Sequence, residues 1–341
     1  MNDLETPMPN LDTSPNPDTS PGRAAAHESV APVPTRPEGV VDFTPDADLY
    51  PFESKWFESS VGPIHYIDEG EGRPLVMFHG NPDWSFLYRG IITELRGQFR
   101  CIAMDYPGFG LSVHPGDDYG YTPAEHAAVI GELIDHLDLH DAVFMGADWG
   151  GPIGLEVAAQ RSDRVGGLVI GNTWAWPAET GMIKFFSRLM SSAPLQRLIK
   201  KRNFFISPAM KRTIESDITE REFRHYTDVA PSPEYRTGIA EFPKQIRAAE
   251  PFLAELEQRV LTEFADTPMV LIWGTKDPVF RAILPGWIAR FPDAQVIRLD
   301  TASHYLQEDE PEAIAAAVAN AFGPASSSAV RSESETSRSL R

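Results

Sequence analysis

Short apolar runs separated by helix-like stretches make up the middle of the chain. Eight strand-like runs, not all of them apolar throughout, lie at residues 52–57, 64–67, 74–78, 99–104, 142–145, 165–170, 268–272 and 294–299. The run at 74–78 is apolar throughout, which is typical of a strand buried on both faces of a parallel sheet. Amphipathic stretches with helical periodicity follow several runs, for example at 85–95 and 123–139. This alternation predicts an α/β fold with a mostly parallel sheet covered by helices on both faces.

Local signals refine two of these elements. Gly70 and Gly72 follow the second run, and we expect them to be the turn residues of a hairpin that involves the first runs. Thr122 and Pro123 stand where the stretch 123–139 begins. They are expected to be the N-cap and the first residue of a helix.

The alternation stops between Asn172 and about residue 251. This segment is rich in apolar residues that suit helices: Met182, Phe185, Phe186, Leu189, Met190, Leu195, Leu198, Phe204 and Phe205. It predicts a helical cap at 173–251, inserted between core segments 46–172 and 252–322 at the carboxyl edge of the sheet, where ligands bind. Two interpretations remain open: the apolar residues face a site below the cap, or most of them fill only the cap's own core.

Composition indicates which segments are disordered and which partners are unsuitable. Residues 1–45 are rich in Pro, Asp, Ser and Thr, and we expect a disordered acidic extension there and a second disordered tail at 323–341. The net charge of −19 disfavours nucleic acid and anionic membrane surfaces as partners. Neither a run of about 18 apolar residues nor a signal peptide is found, so a cytoplasmic location is expected by default. The single cysteine, Cys101, excludes an intrachain disulfide and is expected to be a buried strand residue.

The turn at residues 146–151 indicates the type of chemistry. The run at 142–145 leads into Gly146-Ala147-Asp148-Trp149-Gly150-Gly151, and a helix-like stretch follows. Strand, glycine-flanked turn and helix form the context of a nucleophile elbow, in which one side chain is held above the sheet. Here the apex residue is Asp148 where an esterase has serine, although a simple helix-capping aspartate is the alternative. A carboxylate is already anionic and can displace a leaving group from carbon, which forms an ester with the enzyme.

Hydrolysis of such an ester needs a base and an acidic partner for that base. His304 follows the last strand-like run, and Asp277 follows the run at 268–272. The order nucleophile, acid, histidine is that of the α/β-hydrolase triad. We therefore expect His304 to activate water and Asp277 to orient the imidazole. Asp277 also precedes proline, so a plain Asp-Pro turn is compatible with the same residue.

Two neutral donors stand beside the predicted nucleophile. His79-Gly80-Asn81-Pro82 follows the run at 74–78, where backbone N–H groups supply half of an oxyanion hole in this fold. The amide of Asn81 and the indole of Trp149 would suit a weakly basic anion such as a halide. The alternatives are a local turn hydrogen bond for Asn81 and packing under the cap for Trp149.

The chain resembles the haloalkane dehalogenases of the α/β-hydrolase fold. The resemblance covers about residues 50–322 and rests on the stretches 79–89, 105–112, 146–151 and 304–309. It implies an eight-stranded, mostly parallel sheet with a helical cap, and hydrolysis of small apolar haloalkanes by water without metal or organic cofactor. Within the family an aspartate attacks the halogen-bearing carbon, a histidine activates water, and an Asn-Trp pair holds the halide. Carried over, these residues are Asp148, His304, Asn81 and Trp149.

The third carboxylate distinguishes branches of the family. One branch has a glutamate after the sixth strand, where this chain has Asn172 or a neighbour. Asp277 with Asn81 looks like the branch that combines an Asp-His-Asp triad with an Asn-Trp halide pair.

Three other functions are compatible with parts of the sequence. An epoxide hydrolase uses the same triad with cap tyrosines as acids, for which Tyr226 and Tyr235 are available, but an aromatic residue would be expected in place of Asn81. A fluoroacetate dehalogenase needs an arginine pair, for which no good position is evident near the elbow. A catalytically silent binding protein is disfavoured by an intact triad. The sequence does not indicate the oligomeric state or the preferred haloalkane.

Overall fold

The structure is a computed structural model, and it describes residues 36–116, 118–178 and 181–324. Most of the two predicted tails lies outside these residues. The prediction of disorder up to residue 45 is wrong for residues 36–45. The guanidinium of Arg36 donates to the backbone oxygen of Phe43 at 2.7 Å, Val41 is buried, and the Phe43 ring packs edge-on against Trp84. The side chains of Val41 and Phe43 give this short segment enough buried surface to be ordered. The polar average composition of the segment does not indicate this.

Eight strands form one sheet. They are β1 Lys55–Ser59, β2 Gly62–Glu69, β3 Arg73–Phe78, β4 Phe99–Met104, β5 Ala142–Ala147, β6 Val165–Gly171, β7 Met269–Gly274 and β8 Gln295–Leu299. Their order is β1-β2-β4-β3-β5-β6-β7-β8, with β1 and β2 antiparallel to their neighbours and all other pairs parallel. All residues of β5 and β7 are buried, as their continuous apolar sequences predict. Cys101 is also buried, in β4, as expected.

The prediction that Gly70 and Gly72 form the turn of the hairpin is wrong. β1 and β2 do form a hairpin, but its turn lies at residues 60–61, between Ser59 and Gly62. Gly70 and Gly72 instead connect β2 to β3, and β4 lies between those two strands in the sheet. Both glycines have positive φ because the chain must leave one edge of β4 and return on the other.

Helices cover the sheet and fill the insertion. They are α1 Arg89–Leu95, α2 Pro123–His136, α3 Gly150–Ala159, α4 Gly181–Met190, α5 Ala193–Arg202, α6 Glu220–Asp228, α7 Thr237–Ala248, α8 Glu250–Glu263, α9 Leu284–Arg290, α10 Leu306–Asp309 and α11 Pro311–Phe322. Short 3-10 turns occur at Ser85–Tyr88, Ser162–Arg164, Met210–Arg212, Pro233–Arg236 and Phe280–Ala282, and a π-helical turn at Phe205–Ala209. Thr122 caps α2 and Pro123 begins it, as predicted. In the described ranges, no helix has the length and hydropathy needed to cross a bilayer.

The helices α4 to α7 form the cap above the carboxyl edge of the sheet. Their buried apolar residues include Met190, Ile199, Phe223, Tyr226, Ile239, Ala240 and Phe242. Three of the apolar residues that the sequence offered for the cap core point outward instead: Phe185, Phe186 and Leu189. The buried hydroxyl of Ser187 donates to the backbone oxygen of Pro243 in α7, so α4 presents this polar side chain to α7.

The carboxyl ends of β3, β5, β6, β7 and β8 meet at one edge of the sheet. α3 begins so close to the end of β3 that a Cβ on Gly150 would lie 2.0 Å from the backbone oxygen of Phe78. The glycine therefore allows the turn after β5 and the turn after β3 to approach each other.

We predict that Gly150→Ala destabilises the protein by about 3 kcal/mol, because strand and helix backbones must separate to admit the methyl group. The matched control is Gly97→Ala, since a Cβ at Gly97 has nothing within 4 Å. The control should change the unfolding free energy by less than about 1 kcal/mol. Denaturant unfolding measures both variants, and equal effects would contradict this account.

Candidate active site

The turn after β5 has the geometry of an elbow. Asp148 adopts φ +49°, in the left-handed region that a non-glycine residue rarely occupies. Its backbone N–H donates to the backbone oxygen of Asn172 at 3.0 Å, and its backbone oxygen accepts from the Thr173 hydroxyl at 2.5 Å. Trp149, not Asp148, is the N-cap residue of α3, and the helix has no side-chain cap. The alternative of a simple capping aspartate is therefore excluded.

Two backbone N–H groups meet the Asp148 carboxylate. The N–H of Asn81 donates to Oδ1 at 2.9 Å, and the N–H of Trp149 also bonds to the side chain. Gly80 permits this approach, since a Cβ there would lie 2.5 Å from the Cβ of Asp148. Burial raises the pKa of Asp148 above its ordinary value, while His304 and the two N–H groups oppose that rise.

The loops after β7 and β8 bring a histidine and a second carboxylate to the same edge. His304 Nδ1 lies 2.8 Å from Oδ2 of Asp277, and His304 Nε2 lies 3.9 Å from Oδ2 of Asp148. Burial by itself lowers the pKa of His304, but the hydrogen bond and charge of Asp277 and the charge of Asp148 raise it to about 9. The two carboxylates thus favour the positively charged form of the imidazole at neutral pH.

Asp277 forms both structures that its sequence context suggested. Its Oδ1 accepts from the backbone N–H groups of Val279 and Phe280, which is the expected turn, and its Oδ2 faces His304. Burial raises the pKa of Asp277, but the bond to His304 and the two N–H groups outweigh it and hold the pKa below the ordinary value. This carboxylate is therefore charged and fully hydrogen-bonded.

Asn172 is a site residue that sequence reasoning left without a role. It follows β6, and its Nδ2 donates to Oδ2 of Asp277 at 3.2 Å and to the backbone oxygen of Ser303 at 3.0 Å. Its Oδ1 accepts from the N–H of Gly274. One buried amide thus ties the loops after β6, β7 and β8 together. Asn172 directly follows β6, a buried strand beside β5, and this position in the sequence could have identified it as a site residue.

Asn81 and Trp149 are both buried beside Asp148. The Asn81 amide donates one hydrogen to the backbone oxygen of Ile239 in α7 at 3.4 Å, and its second hydrogen has no hydrogen bond to the described residues. The Trp149 ring stacks on Phe242 of α7, with 5.1 Å between centroids, and meets Trp174 edge-on. Both side chains therefore contact the cap, and the turn bond expected as the alternative for Asn81 is replaced by a bond to α7.

Aromatic side chains surround the polar groups. Phe280 lies between Trp174 and the His304 ring, at centroid distances of 5.7 and 5.3 Å. Phe242 reaches down from the cap onto Trp149. Such walls favour an apolar ligand and exclude water from around the charges. In the described part of the chain, no group of three or more His, Cys, Asp or Glu residues could hold a metal ion.

The two cap tyrosines considered as acids are engaged elsewhere. The hydroxyl of Tyr226 donates to the carboxylate of Glu308, and burial raises the pKa of this phenol well above its ordinary value. The ring of Tyr235 packs edge-on against His114 at 4.4 Å. Neither of these contacts is a hydrogen bond to Asp148, His304 or Asp277.

Comparisons with known proteins find a matching family model and several relatives. A family model described as alpha/beta hydrolase fold matches residues 73–311. Haloalkane dehalogenase 2 of Mycobacterium tuberculosis is 52% identical over 285 residues, which make up 83% of this chain and 99% of that protein. The cis-3-alkyl-4-alkyloxetan-2-one decarboxylase of Shewanella oneidensis is 30% identical over 281 residues, with 78% of this chain and 87% of that protein covered.

Solved structures show the same fold. The crystal structure of an inferred ancestral haloalkane dehalogenase has a TM-score of 0.67 and 29% sequence identity, and the match covers 78% of this chain and 96% of that one. The predicted α/β-hydrolase fold, with a mostly parallel eight-stranded sheet, is confirmed.

We predict that Asp277→Asn lowers the pKa of His304 from about 9 toward or below the ordinary 6.5. The reason is that the negative charge of Asp277, which opposes the lowering of the pKa by burial, is then absent. NMR titration of the imidazole in the substrate-free protein measures this change. Asp300→Asn, an exposed change near the same loop, is the matched control and should leave the pKa near 9.

The same pKa has a consequence for stability. A histidine whose folded pKa is raised contributes stability that is fully present below about pH 6.5 and is lost as the pH rises through about 9. The Asp277→Asn protein should lose less of its unfolding free energy over that interval than the wild type. An unchanged titration in Asp277→Asn would contradict the geometry.

Proposed function

The chain belongs to the haloalkane dehalogenases of the alpha/beta hydrolase fold, and from this membership we propose that it hydrolyses haloalkanes to an alcohol, a halide ion and a proton. The observation that carries the proposal is the convergence of Asp148, His304 and Asp277 at one edge of the sheet. The triad combines with Asn81 and Trp149 in the manner of the Asp-His-Asp, Asn-Trp branch. Water and a small apolar haloalkane are the substrates.

Asp148 is the proposed nucleophile. Its Oδ2, which lies 3.9 Å from His304 Nε2, attacks the carbon that carries the halogen. The carbon–halogen bond breaks with its electron pair on the halide, and an alkyl ester of Asp148 remains. Oδ1 cannot attack as readily, since it accepts the N–H of Asn81. The surrounding aromatic rings remove water that would otherwise solvate and weaken the nucleophile.

His304 is the proposed base of the second step. Once Asp148 is esterified its charge is gone, so the pKa of His304 falls from its resting value and the imidazole can become neutral. It then takes a proton from water as the water oxygen bonds to the ester carbonyl carbon. The N–H groups of Asn81 and Trp149, already aimed at this carboxyl group, stabilise the oxyanion that forms.

Asn81 and Trp149 are the proposed halide holders. Both are buried next to Asp148, and both offer neutral N–H donors, which suit a large, weakly basic anion. The engagement of Tyr226 with Glu308 favours this function over epoxide hydrolysis, because the phenol is not available to an alkoxide.

A second candidate follows from the 30% identical decarboxylases. The substrate of this second function is a four-membered lactone, an oxetan-2-one, in place of a haloalkane. The higher identity to a haloalkane dehalogenase, 52% against 30%, favours the first function.

We predict bromide release and a falling pH with 1,2-dibromoethane and 1-bromobutane, without added metal or cofactor. Asp148→Asn should release no bromide above the uncatalysed rate, because an amide is a poor nucleophile. Styrene oxide and a cis-3,4-dialkyloxetan-2-one serve as the competing substrates. Diol from the epoxide, or carbon dioxide from the lactone, with no bromide from either haloalkane would overturn the proposal.

A further inference from the structure

The cap helix α4 presents apolar side chains to the outside of the protein. Five large apolar side chains of the described residues are exposed, and three of these belong to α4: Phe185 at 65%, Phe186 at 42% and Leu189 at 47%. Residues three and four positions apart are neighbours on a helix, so Leu189 lies beside both phenylalanines. Single exposed apolar residues are ordinary, whereas a contiguous group of them marks an interaction surface.

The opposite face of α4 fixes this orientation. Ser187 and Met190 are buried, and the Ser187 hydroxyl donates to the backbone oxygen of Pro243 in α7 at 2.7 Å. Turning the helix to bury Phe185 would expose Met190 and break that hydrogen bond. The three exposed side chains therefore lie on the face of α4 that is turned away from α7.

The same part of the chain is basic. Residues 181–214 contain eight Lys and Arg residues and no Asp or Glu, although the whole chain has 30 basic and 49 acidic residues. Lys184 pairs with Glu250 at 3.0 Å. Lys211 pairs with Glu220 at 3.2 Å. The other six have no ion pair with the described residues, and they are Arg188, Arg197, Lys200, Lys201, Arg202 and Arg212.

The exposed cations flank the apolar side chains. On α4, Lys184 and Arg188 each precede an exposed apolar residue and are exposed themselves. On α5, Arg197 and Lys201 are exposed and lie four positions apart, so they share one face of that helix.

The inner face of α5 packs toward α7. Ile199 is buried, and the side-chain amide of Gln196 donates to the backbone oxygen of Ala240 in α7 at 2.8 Å. Both helices thus lie on α7 and turn their cations outward. We call Phe185, Phe186 and Leu189, together with the exposed cations of α4 and α5, the α4–α5 face.

The α4–α5 face combines the two properties of a helix that lies in a bilayer interface. Apolar side chains enter the boundary between headgroups and acyl chains, and Lys and Arg beside them are attracted to anionic lipids. A second copy of this chain suits the face less well, because two-fold pairing would bring like charges together. A purely acidic partner would leave the two phenyl rings in water.

The net charge of −19 does not oppose such binding at this face. Charges more than a Debye length from the lipid surface, about 10 Å at 0.1 M salt, are largely screened. The local excess of cations therefore decides both the attraction and the orientation of the molecule, while the acidic remainder of the chain points away from the lipid.

We propose that the α4–α5 face binds the surface of an anionic phospholipid bilayer. Phe185, Phe186 and Leu189 insert at the level of the headgroups, and the cations of α4 and α5 contact the lipid phosphates. Phe242 of α7 stacks on Trp149, so this binding turns the cap side of the candidate active site toward the bilayer.

The test measures sedimentation of the full chain with two kinds of vesicle. One kind is phosphatidylcholine alone, and the other contains about 30 mol% phosphatidylglycerol at about 0.1 M salt. We expect the partition coefficient to be at least about tenfold higher on the anionic vesicles and to fall strongly at about 0.5 M salt.

Two matched pairs of variants locate the binding face. Phe185→Ser should lower the partition coefficient about fivefold or more, whereas Leu261→Ser, a change of another exposed apolar residue on α8, should alter it less than about twofold. Arg197→Glu should likewise lower it about fivefold or more, whereas Arg298→Glu, the same exposed charge change in β8, should alter it less than about twofold. Circular dichroism checks that each variant is folded, and Leu189→Ser replaces Phe185→Ser if the latter is not.

Three results would overturn the inference. The first is no binding, or equal binding to both kinds of vesicle. The second is binding that Phe185→Ser and Arg197→Glu leave at the wild-type level. The third is another occupant without vesicle binding: a dimer that Phe185→Ser dissociates, or polyglutamate binding that Arg197→Glu abolishes. No measurement here depends on catalysis, so each of these results leaves the proposed function standing.

Discussion

Two backbone N–H groups hold the carboxylate of Asp148, and the rest of the site depends on that contact. One comes from Asn81 after β3 and the other from Trp149 at the start of α3, so the contact exists only while β3 and β5 are neighbours. The missing side chains of Gly80 and Gly150 let these backbones meet. The same N–H groups that stabilise a resting carboxylate are placed for the oxyanion of its ester, so one arrangement serves two steps.

Charge balance is the second constraint. The site gathers Asp148, Asp277 and Asp83 around a single imidazole, and these carboxyl groups have different surroundings. Asp277 is charged because it receives hydrogen bonds on both oxygens. Asp83 lacks a partner on Oδ1 among the described residues, and burial raises its pKa well above the ordinary value. Asn172 bonds to Asp277 without adding charge, where a further carboxylate would add repulsion.

Much of the fold and of the candidate site could be predicted from the sequence, because parallel strands end at one edge of a sheet. Asp148, His304 and Asp277 each follow an apolar run, so their meeting could be predicted from order alone. Their proposed roles remain predictions. The hydrogen bonds of Asn172 and the burial of Asp83 could not be predicted in this way, because no spacing in the sequence encodes them.

The cap was the hardest part to predict. Its helical character follows from composition, but Phe185 and Phe186 face outward while Phe242 reaches Trp149. An amphipathic helix has an apolar face in the sequence whether or not another element covers it. The ordered segment at 36–45 is a similar case, since Val41 and Phe43 are too few to stand out in a polar stretch.

If Asp148 is the nucleophile, its carboxylate supplies the oxygen of the alcohol product. A single turnover with enzyme in excess over 1-bromobutane, run in oxygen-18-labelled water, tests this by mass spectrometry of the alcohol and of the peptide that contains Asp148. We expect unlabelled alcohol in the first turnover and one labelled oxygen in the carboxyl group of Asp148. Labelled alcohol with an unlabelled Asp148 would mean that water displaces the halide directly, and it would rule out a nucleophilic Asp148.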